Sequence, residues 1–509
     1  MVVLKHIVFV CLLAIGACLI PSSAFDAKSR ELILVVGFIG VWRYSWGLLH
    51  LLRSIYFRHI AFPKSRFAAA RWSAQQAPGH AYLLITSFRI DASTTRRVYT
   101  AAFKAAATAR GGATVVCSIV ERGDERLIRD LARVLFGGLA PFDLIIVRTA
   151  GTGKRDALAH GLRAIAARQP AANATVSLID GDSIVPDNLV EKCAPFFALY
   201  PRLGALTTDE ACTVEGAEIF KRWYSLRFAQ RQVLMSSHGL ARRVLTLTGR
   251  MSMFRAQLAC SEPFIRCIQN DAFYSWRLGN IKMLTGDDKS TWFWLLKRNY
   301  EMHYVPDVVV ETIEQPPHPG FLKSADVLMT RWFGNMLRTN SRAIALGPWR
   351  ISFFTWWSVF DQRLSMWTSL SGLVLAIAGS IFVTPWTFAF YALWVLTSRY
   401  LLALSMLTAR PSISLSYIPL LYFNQIYGSW VKIRVFFRLD QQRWTRQKTI
   451  LATELSRGEE RFRASSSMFV RSVAIATFIS LLLIMSNLHN TVDAQASRDA
   501  LVSLEGSAR

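Results

Sequence analysis

The alternation of apolar and polar residues divides the chain before any motif is considered. Spanning helices need roughly 20 apolar residues, and runs near that length lie at 5–20, 31–52, 366–384, 386–407 and 468–486. The first run ends in Pro21-Ser22-Ser23-Ala24, which suits an anchor or a cleaved signal peptide. Residues 412–437 are apolar and aromatic but contain Asn424, Gln425, Lys432 and Arg434, a pattern that predicts a helix lying in a membrane interface. The stretch 348–366 mixes Trp349, Phe353, Phe354, Trp356 and Trp357 with Arg350, Asp361 and Arg363, and predicts a second interfacial helix.

Between these blocks, short apolar runs at 81–88, 113–120, 143–148 and 175–180 alternate with helical patterns at 97–110, 124–136 and 154–168. Such alternation predicts a parallel sheet covered by helices on both faces. Ligands of these sheets bind beyond the carboxyl ends of the strands. The expected organisation is transmembrane helices in 1–52, a water-soluble domain in 53–345, an interfacial helix in 346–366 and two transmembrane helices in 367–407. An interfacial helix with a basic segment follows in 408–466, then a transmembrane helix in 467–486 and a polar tail in 487–509.

Composition agrees with two solvents. The 509 residues are 52% hydrophobic with a mean hydropathy of +0.27, which excludes a disordered or fibrous chain. The 59 Lys and Arg exceed the 34 Asp and Glu, giving +25, a balance that suits nucleic acid or an anionic membrane. The cations border the apolar runs. Residues 51–80 carry Arg53, Arg58, Lys64, Arg66 and Arg71 and no acid, while 432–463 carry nine basic and four acidic side chains. That is positive-inside placement, with the soluble domain cytoplasmic. No nucleic-acid motif accompanies it, so the expected partner is a lipid bilayer. Seven cysteines without a Cys-x-x-Cys pair exclude a disulfide framework or structural zinc site. His160, His238, His303 and His318 share no metal-ligand spacing.

Three segments carry candidate chemistry. Asp180-Gly181-Asp182 follows an apolar strand, and two carboxylates one residue apart can hold magnesium and a diphosphate; a helix-capping turn uses the same residues. Gly151-Thr152-Gly153-Lys154-Arg155 precedes a helix, and its glycines and cations suit phosphate oxygens, although it lacks P-loop spacing. Thr285-Gly286-Asp287-Asp288 precedes the aromatic run Trp292-Phe293-Trp294. A carboxylate there could take a proton from a sugar hydroxyl or simply cap the helix.

The order of these motifs resembles the membrane-embedded, processive family 2 glycosyltransferases, which include cellulose, chitin and hyaluronan synthases. The resemblance implies an α/β glycosyltransferase A-type (nucleotide-diphospho-sugar transferase) domain inserted between transmembrane helices. It assigns Asp180 and Asp182 to the metal, magnesium or manganese, and to the nucleotide diphosphate. Lys154 and Arg155 would face the nucleotide, with Ser87 and Glu121 after the first two strands. Asp288 would be the general base beside Asp287. Gly249, Phe254 and Arg255 match the acceptor segment, and Arg331-Trp332 matches the end of the Gln-x-x-Arg-Trp motif, with Gln replaced by Leu328. A second candidate, Asp440-Gln441-Gln442-Arg443-Trp444, follows the membrane helices.

Within that family, GTGKRDAL, IDGDSIVP, RRVLTLTGRMSMFRA and LTGDDKSTWFWLLK most resemble the bacterial alginate polymerases, the mannuronan synthases. This implies a GDP-mannuronate donor, inverting β-1,4 addition to a growing polyuronate chain and a multi-pass inner-membrane location. It also implies a separate cyclic-di-GMP-binding co-polymerase and periplasmic and outer-membrane export proteins. The paired Asp of the usual base pocket is absent, with Ser118, Glu121 and Asp124 in its place, which argues against a plain uridine-nucleotide donor. Lys289, Arg250 and Arg255 are candidates to neutralise the donor carboxylate, and Arg399 with Arg363 to line the exit path. The alternatives are a synthase using a UDP-sugar and a non-processive lipid-phosphate transferase.

Overall fold

The computed structural model describes residues 2–25, 27–442 and 456–486, and the chain divides into two units. One unit comprises His50–Phe360 and the segment beginning at Leu439. The other gathers the helices up to Leu49, Asp361–Arg438 and the C-terminal helix.

Among the described residues the first unit has ten strands: β1 (Ala81–Thr86), β2 (Ala113–Ile119), β3 (Asp143–Arg148), β4 (Thr175–Asp180), β5 (Ser183–Ile184), β6 (Leu203–Val214), β7 (Met251–Arg255), β8 (Ala272–Ser275), β9 (Gly279–Lys282) and β10 (Glu301–Glu314). Eight form one sheet in the order β3-β2-β1-β4-β7-β6-β10-β5, and β8-β9 is a separate hairpin. The first four strands run parallel, with Ala81 opposite both Ala113 and Thr175. All of β1 and β2 is buried, which is why they read as unbroken apolar runs.

The strands of the alternation form the expected parallel block, and the later strands make the sheet mixed. Strand β7 runs antiparallel to both β4 and β6, and β5 antiparallel to β10. The alternation signal ends at residue 180, and a strand entering between two parallel blocks from the opposite end carries no periodicity that reports its direction. The reversal has a chemical consequence: the start of β7 lies beside the end of β4, where the Asp180 amide donates to the Arg250 carbonyl at 3.3 Å. In β10 the register shifts between Val305 and Val309, at Pro306, which has no amide hydrogen to give the ladder.

Helices α1 (Ala92–Ala107), α2 (Arg122–Phe136) and α3 (Lys154–Ala166) follow β1, β2 and β3. Further on come α4 (Glu218–Gly239), α5 (Asp287–Lys297) and α6 (Phe321–Ile344). Helix α1 starts at Asp91, whose carboxylate accepts from the Thr94 amide at 2.8 Å. Hydrogen bonds from Ser93 and Thr94 hold that carboxyl at about 2.

Among the described residues Leu34–Gln75, Phe353–Phe382, Trp386–Thr408 and Gly458–Met485 are helical stretches long and apolar enough to cross a membrane, which is consistent with a membrane-associated protein. Val3–Cys18 is a shorter apolar helix, and Tyr417–Phe436 is helical. The boundary expected near residue 366 is absent, because one helix runs through Phe353–Phe382. No Pro or Gly interrupts it between 353 and 371, so nothing ends its hydrogen-bond ladder. Its Asp361 pairs with Arg43. Arg399 donates to the Gln425 carbonyl oxygen, and Gln425 donates to Ser369 O at 2.8 Å. Arg363 lies 5.1 Å over the Phe436 ring. Part of the basic segment, residues 443–455, and the tail expected at 487–509 lie outside the described residues.

Candidate active site

Three chain reversals meet at one point. Strand β4 ends at Asp180 and turns through Gly181-Asp182, α3 opens at Lys154, and α5 opens at Asp287. A cation in the first turn of a helix opposes the helix dipole, and Lys154 is compensated by acids from the other two elements. Its Nζ lies 2.6 Å from Asp180 Oδ1 and 3.0 Å from Asp287 Oδ2. Gly249, at the entry to β7, closes the same cleft. A Cβ there would stand 2.9 Å from Asp180 Oδ2 and 3.0 Å from Lys154 Nζ. Lys154, Asp180, Thr248, Gly249, Asp287 and Asp288 line the cleft.

The charges in it are strongly coupled to burial. Asp180 is pushed up to about 6, chiefly by burial, with Asp182 and Asp287 adding to the rise and Lys154 opposing it. Burial also opposes ionisation of Asp287, but Lys154 and then Arg155 outweigh it and its pKa falls. Asp288 is raised by burial and then by Asp287. Lys289 is pulled down to about 8 by burial, with Asp288 resisting. Among the described residues no group of three or more His, Cys, Asp or Glu could hold a metal. The Asp180–Asp182 oxygens, hard donors carrying more negative charge than Lys154 offsets, nevertheless suit a divalent cation that takes its remaining ligands from water and phosphate.

The loop carrying the second Asp pair is braced from behind. Gly286 has φ +79°, and a Cβ on it would meet Asn335 Cγ at 2.9 Å. Thr285 Oγ1 donates to Asn335 Oδ1 at 2.7 Å. Arg155 belongs to this brace and does not face a nucleotide: its buried guanidinium donates to Ile268 O (2.7 Å), Thr285 O (3.0 Å) and Ser290 Oγ (3.0 Å). The fragment Asp440-Gln441-Gln442 also arrives here. Gln442 accepts from Leu284 N at 3.0 Å and donates to Lys282 O at 2.7 Å, while Arg338 donates to Leu439 O and Gln441 O, each at 2.8 Å. Arg443 and Trp444 lie outside the described residues.

Other sequence candidates are dispersed. Ser87 follows β1, buried, its hydroxyl without a partner among the described residues. Glu121 is exposed just before α2, and Ser118 is committed to Ala157 O at 2.9 Å. Asp182 lies one turn from Asp180 and accepts at its carbonyl from Ile313 N, 3.1 Å. Phe254 is a buried residue of β7. The guanidinium of Arg255 is committed to backbone carbonyls, donating to Leu203 O, Phe197 O and Tyr200 O at 2.6–2.8 Å. Arg250 likewise is spent on Glu210 (3.0 Å) and Glu314 (2.6 Å).

Trp332, on α6, packs 5.6 Å from Trp223 and 6.2 Å from Tyr224, ring to ring, and the neighbouring Arg331 acts electrostatically on Tyr224. The Tyr224 hydroxyl donates to Glu314 Oε2 at 3.4 Å. Sequence reasoning missed Glu210, Glu314 and Tyr224, which join Trp332 to Arg250. The one signal for them was a pair of carboxylates, Asp209-Glu210, at the end of a buried run in β6.

The family described as "Glycosyltransferase like family 2" matches residues 78–335, and the chain belongs to it: it is a glycosyltransferase enzyme with an A-type domain flanked by apolar helices. It is 43% identical over 472 residues to "Glycosyltransferase alg8" of Pseudomonas syringae pv. tomato, covering 92% of this chain and 95% of that one. It is 44% identical over 481 residues to "Glycosyltransferase alg8" of Azotobacter vinelandii, covering 94% and 97%. Among solved structures, the mannosyltransferase PcManGT from Pyrobaculum calidifontis, in complex with GDP-Man and Mn2+, aligns with a TM-score of 0.43 and 17% identity over 79% of this chain and 97% of that one.

Proposed function

We propose that the chain is a processive, inverting glycosyltransferase that transfers mannuronate from GDP-mannuronate onto a growing β-1,4-linked polymannuronate, the precursor of alginate, and passes the product across a bacterial inner membrane. The observation that carries this reading is the cleft in which Lys154 ties Asp180 to Asp287 beside Gly249. It joins a site for a nucleotide diphosphate to a carboxylate pair able to act on a hydroxyl. The uronate assignment draws its support from the relatives called alg8.

Asp180 and Asp182 would hold magnesium or manganese, which when bound offsets charge on the leaving diphosphate. Lys154 contributes a second positive charge to the same phosphates. Asp288 accepts the proton of the acceptor 4-hydroxyl as that oxygen bonds to the anomeric carbon. The anomeric bond to GDP breaks on the opposite face, so the configuration inverts and the electron pair leaves on the diphosphate. Ser87 and Glu121 face the guanosine end, and Arg331 with Trp332 supports the acceptor chain. The catalytic unit is cytoplasmic, following the basic segments. A separate cyclic-di-GMP-binding co-polymerase and envelope export proteins complete the system.

Membrane vesicles carrying the chain and its export partners provide the test, offered GDP-mannuronate, UDP-glucuronate, UDP-glucose or UDP-N-acetylglucosamine in turn. High-mass polymer from GDP-mannuronate alone, lost in Asp288→Asn, is the expected result. Polymer from a uridine donor would overturn the donor assignment, and transfer of a single sugar to lipid phosphate would overturn processivity.

A further inference from the structure

Arg227, on α4, is a cation that the site described above does not use. Its guanidinium carbon lies 3.6 Å from the Trp332 ring centroid and 5.2 Å from that of Trp223. Neighbouring arginines are neutralised: Arg250 by Glu210 and Glu314, and Arg231 by Glu210 at 3.3 Å. Among the described residues Arg227 forms no ion pair. It is half-buried, and its nitrogens are not among the atoms sealed from solvent without a partner. Burial lowers its pKa to about 10, which leaves it charged at neutral pH.

A cation that no ion pair neutralises, in a partly desolvated place where Glu314 acts on it only at longer range, gains from a visiting anion. Stacking occupies the face of a guanidinium and leaves the N–H fork at its edge free, in the geometry that suits a carboxylate. The position is also apt. Trp332 touches Tyr224, Tyr224 donates to Glu314, Glu314 pairs with Arg250, and the Arg250 carbonyl receives the Asp180 amide. The cation is therefore linked to the Asp180 end of the cleft through Trp332, Tyr224, Glu314 and Arg250, beside the indole assigned to the acceptor.

We propose that Arg227 is a specificity-determining residue of the acceptor subsite, its guanidinium pairing with the carboxylate of the uronate that reaches the Arg331–Trp332 platform, so that the site selects an anionic chain. This rests on the polymannuronate reading of the same site.

The test uses the full chain in lipid nanodiscs and two soluble acceptors, β-1,4-oligomannuronate and the same oligosaccharide with its carboxyls reduced to hydroxymethyl groups. Binding is measured without donor, and elongation with GDP-mannuronate. The wild type should prefer the anionic acceptor. Arg227→Gln should weaken oligomannuronate binding about 10- to 100-fold, the range of a charge-assisted contact, and leave the neutral acceptor unchanged. Arg227→Lys, which keeps the charge without the fork, should fall between, and it serves if the glutamine variant does not fold. Equal loss for both acceptors, or full retention of the anionic preference in Arg227→Gln, would overturn the inference while leaving the polymannuronate reading intact. A wild type indifferent to the acceptor carboxyls would instead overturn that reading, and the inference with it.

Discussion

In the proposed reaction Asp288 must be ionised to take the acceptor proton, yet burial and then the neighbouring Asp287 charge raise its pKa. The base is active only above its own pKa, so transfer falls as pH drops through that raised value. The acid limb of kcat/KM is accordingly expected above the ordinary carboxylate range of about 4, and Asp288→Asn should lower kcat by about 10²- to 10⁴-fold. A pH–rate profile with its limb at or below 4 would remove Asp288 from this assignment. Gly249 makes a different demand, for space: a methyl group would sit 2.9 Å from Asp180 Oδ2 and 3.0 Å from Lys154 Nζ. Gly249→Ala should cut nucleotide release at least tenfold, with a thermal midpoint close to the wild type. The residues of this cleft were legible because each marks the place where an apolar run meets a glycine turn. Arg155 and Arg255 were not, because the carbonyls that capture them, Ile268 and Thr285 for one and Phe197, Tyr200 and Leu203 for the other, are remote in sequence.

Successive residues of a helix point about 100° apart, and α3 uses that angle at its first turn. Lys154 reaches the cleft while Arg155 turns into the brace behind the Asp287 loop. Two adjacent cations that look equivalent in the sequence should therefore fail differently. Lys154→Met should raise the donor KM and lower kcat with modest loss of stability. Arg155→Met should leave carbonyl groups unsatisfied, at about 1–3 kcal/mol each, and appear first as a lower thermal midpoint. Equal stability losses in the two variants would contradict this division. The same scale explains what the alternating pattern left hidden. It gave the parallel half of the sheet, whose strands have apolar centres, but not the reversal at β7, whose direction is set by where the chain re-enters after α4. It also gave two helices where Phe353–Phe382 is one, since a change from interfacial to apolar composition does not break a helix.

Across the whole molecule, polar chemistry extends into the unit built from apolar helices. Asp361, on the Phe353–Phe382 helix, pairs with Arg43 on the Ala27–Tyr56 helix. Their side chains keep 10% and 26% of their exposure. In an apolar surrounding each charge is tolerable only beside the other. Removing one partner strands the other, which is more damaging than replacing both with apolar groups of similar size. Asp361→Leu or Arg43→Leu alone should thus lower unfolding stability in detergent by roughly 2–4 kcal/mol. The double variant should regain most of that loss, and sugar transfer should follow stability rather than drop independently. Thermal unfolding of the four proteins closes the cycle. If the double variant were as unstable as the sum of the singles, the pair would hold no mutual energy, and the two helices would have to be joined by their apolar contacts alone.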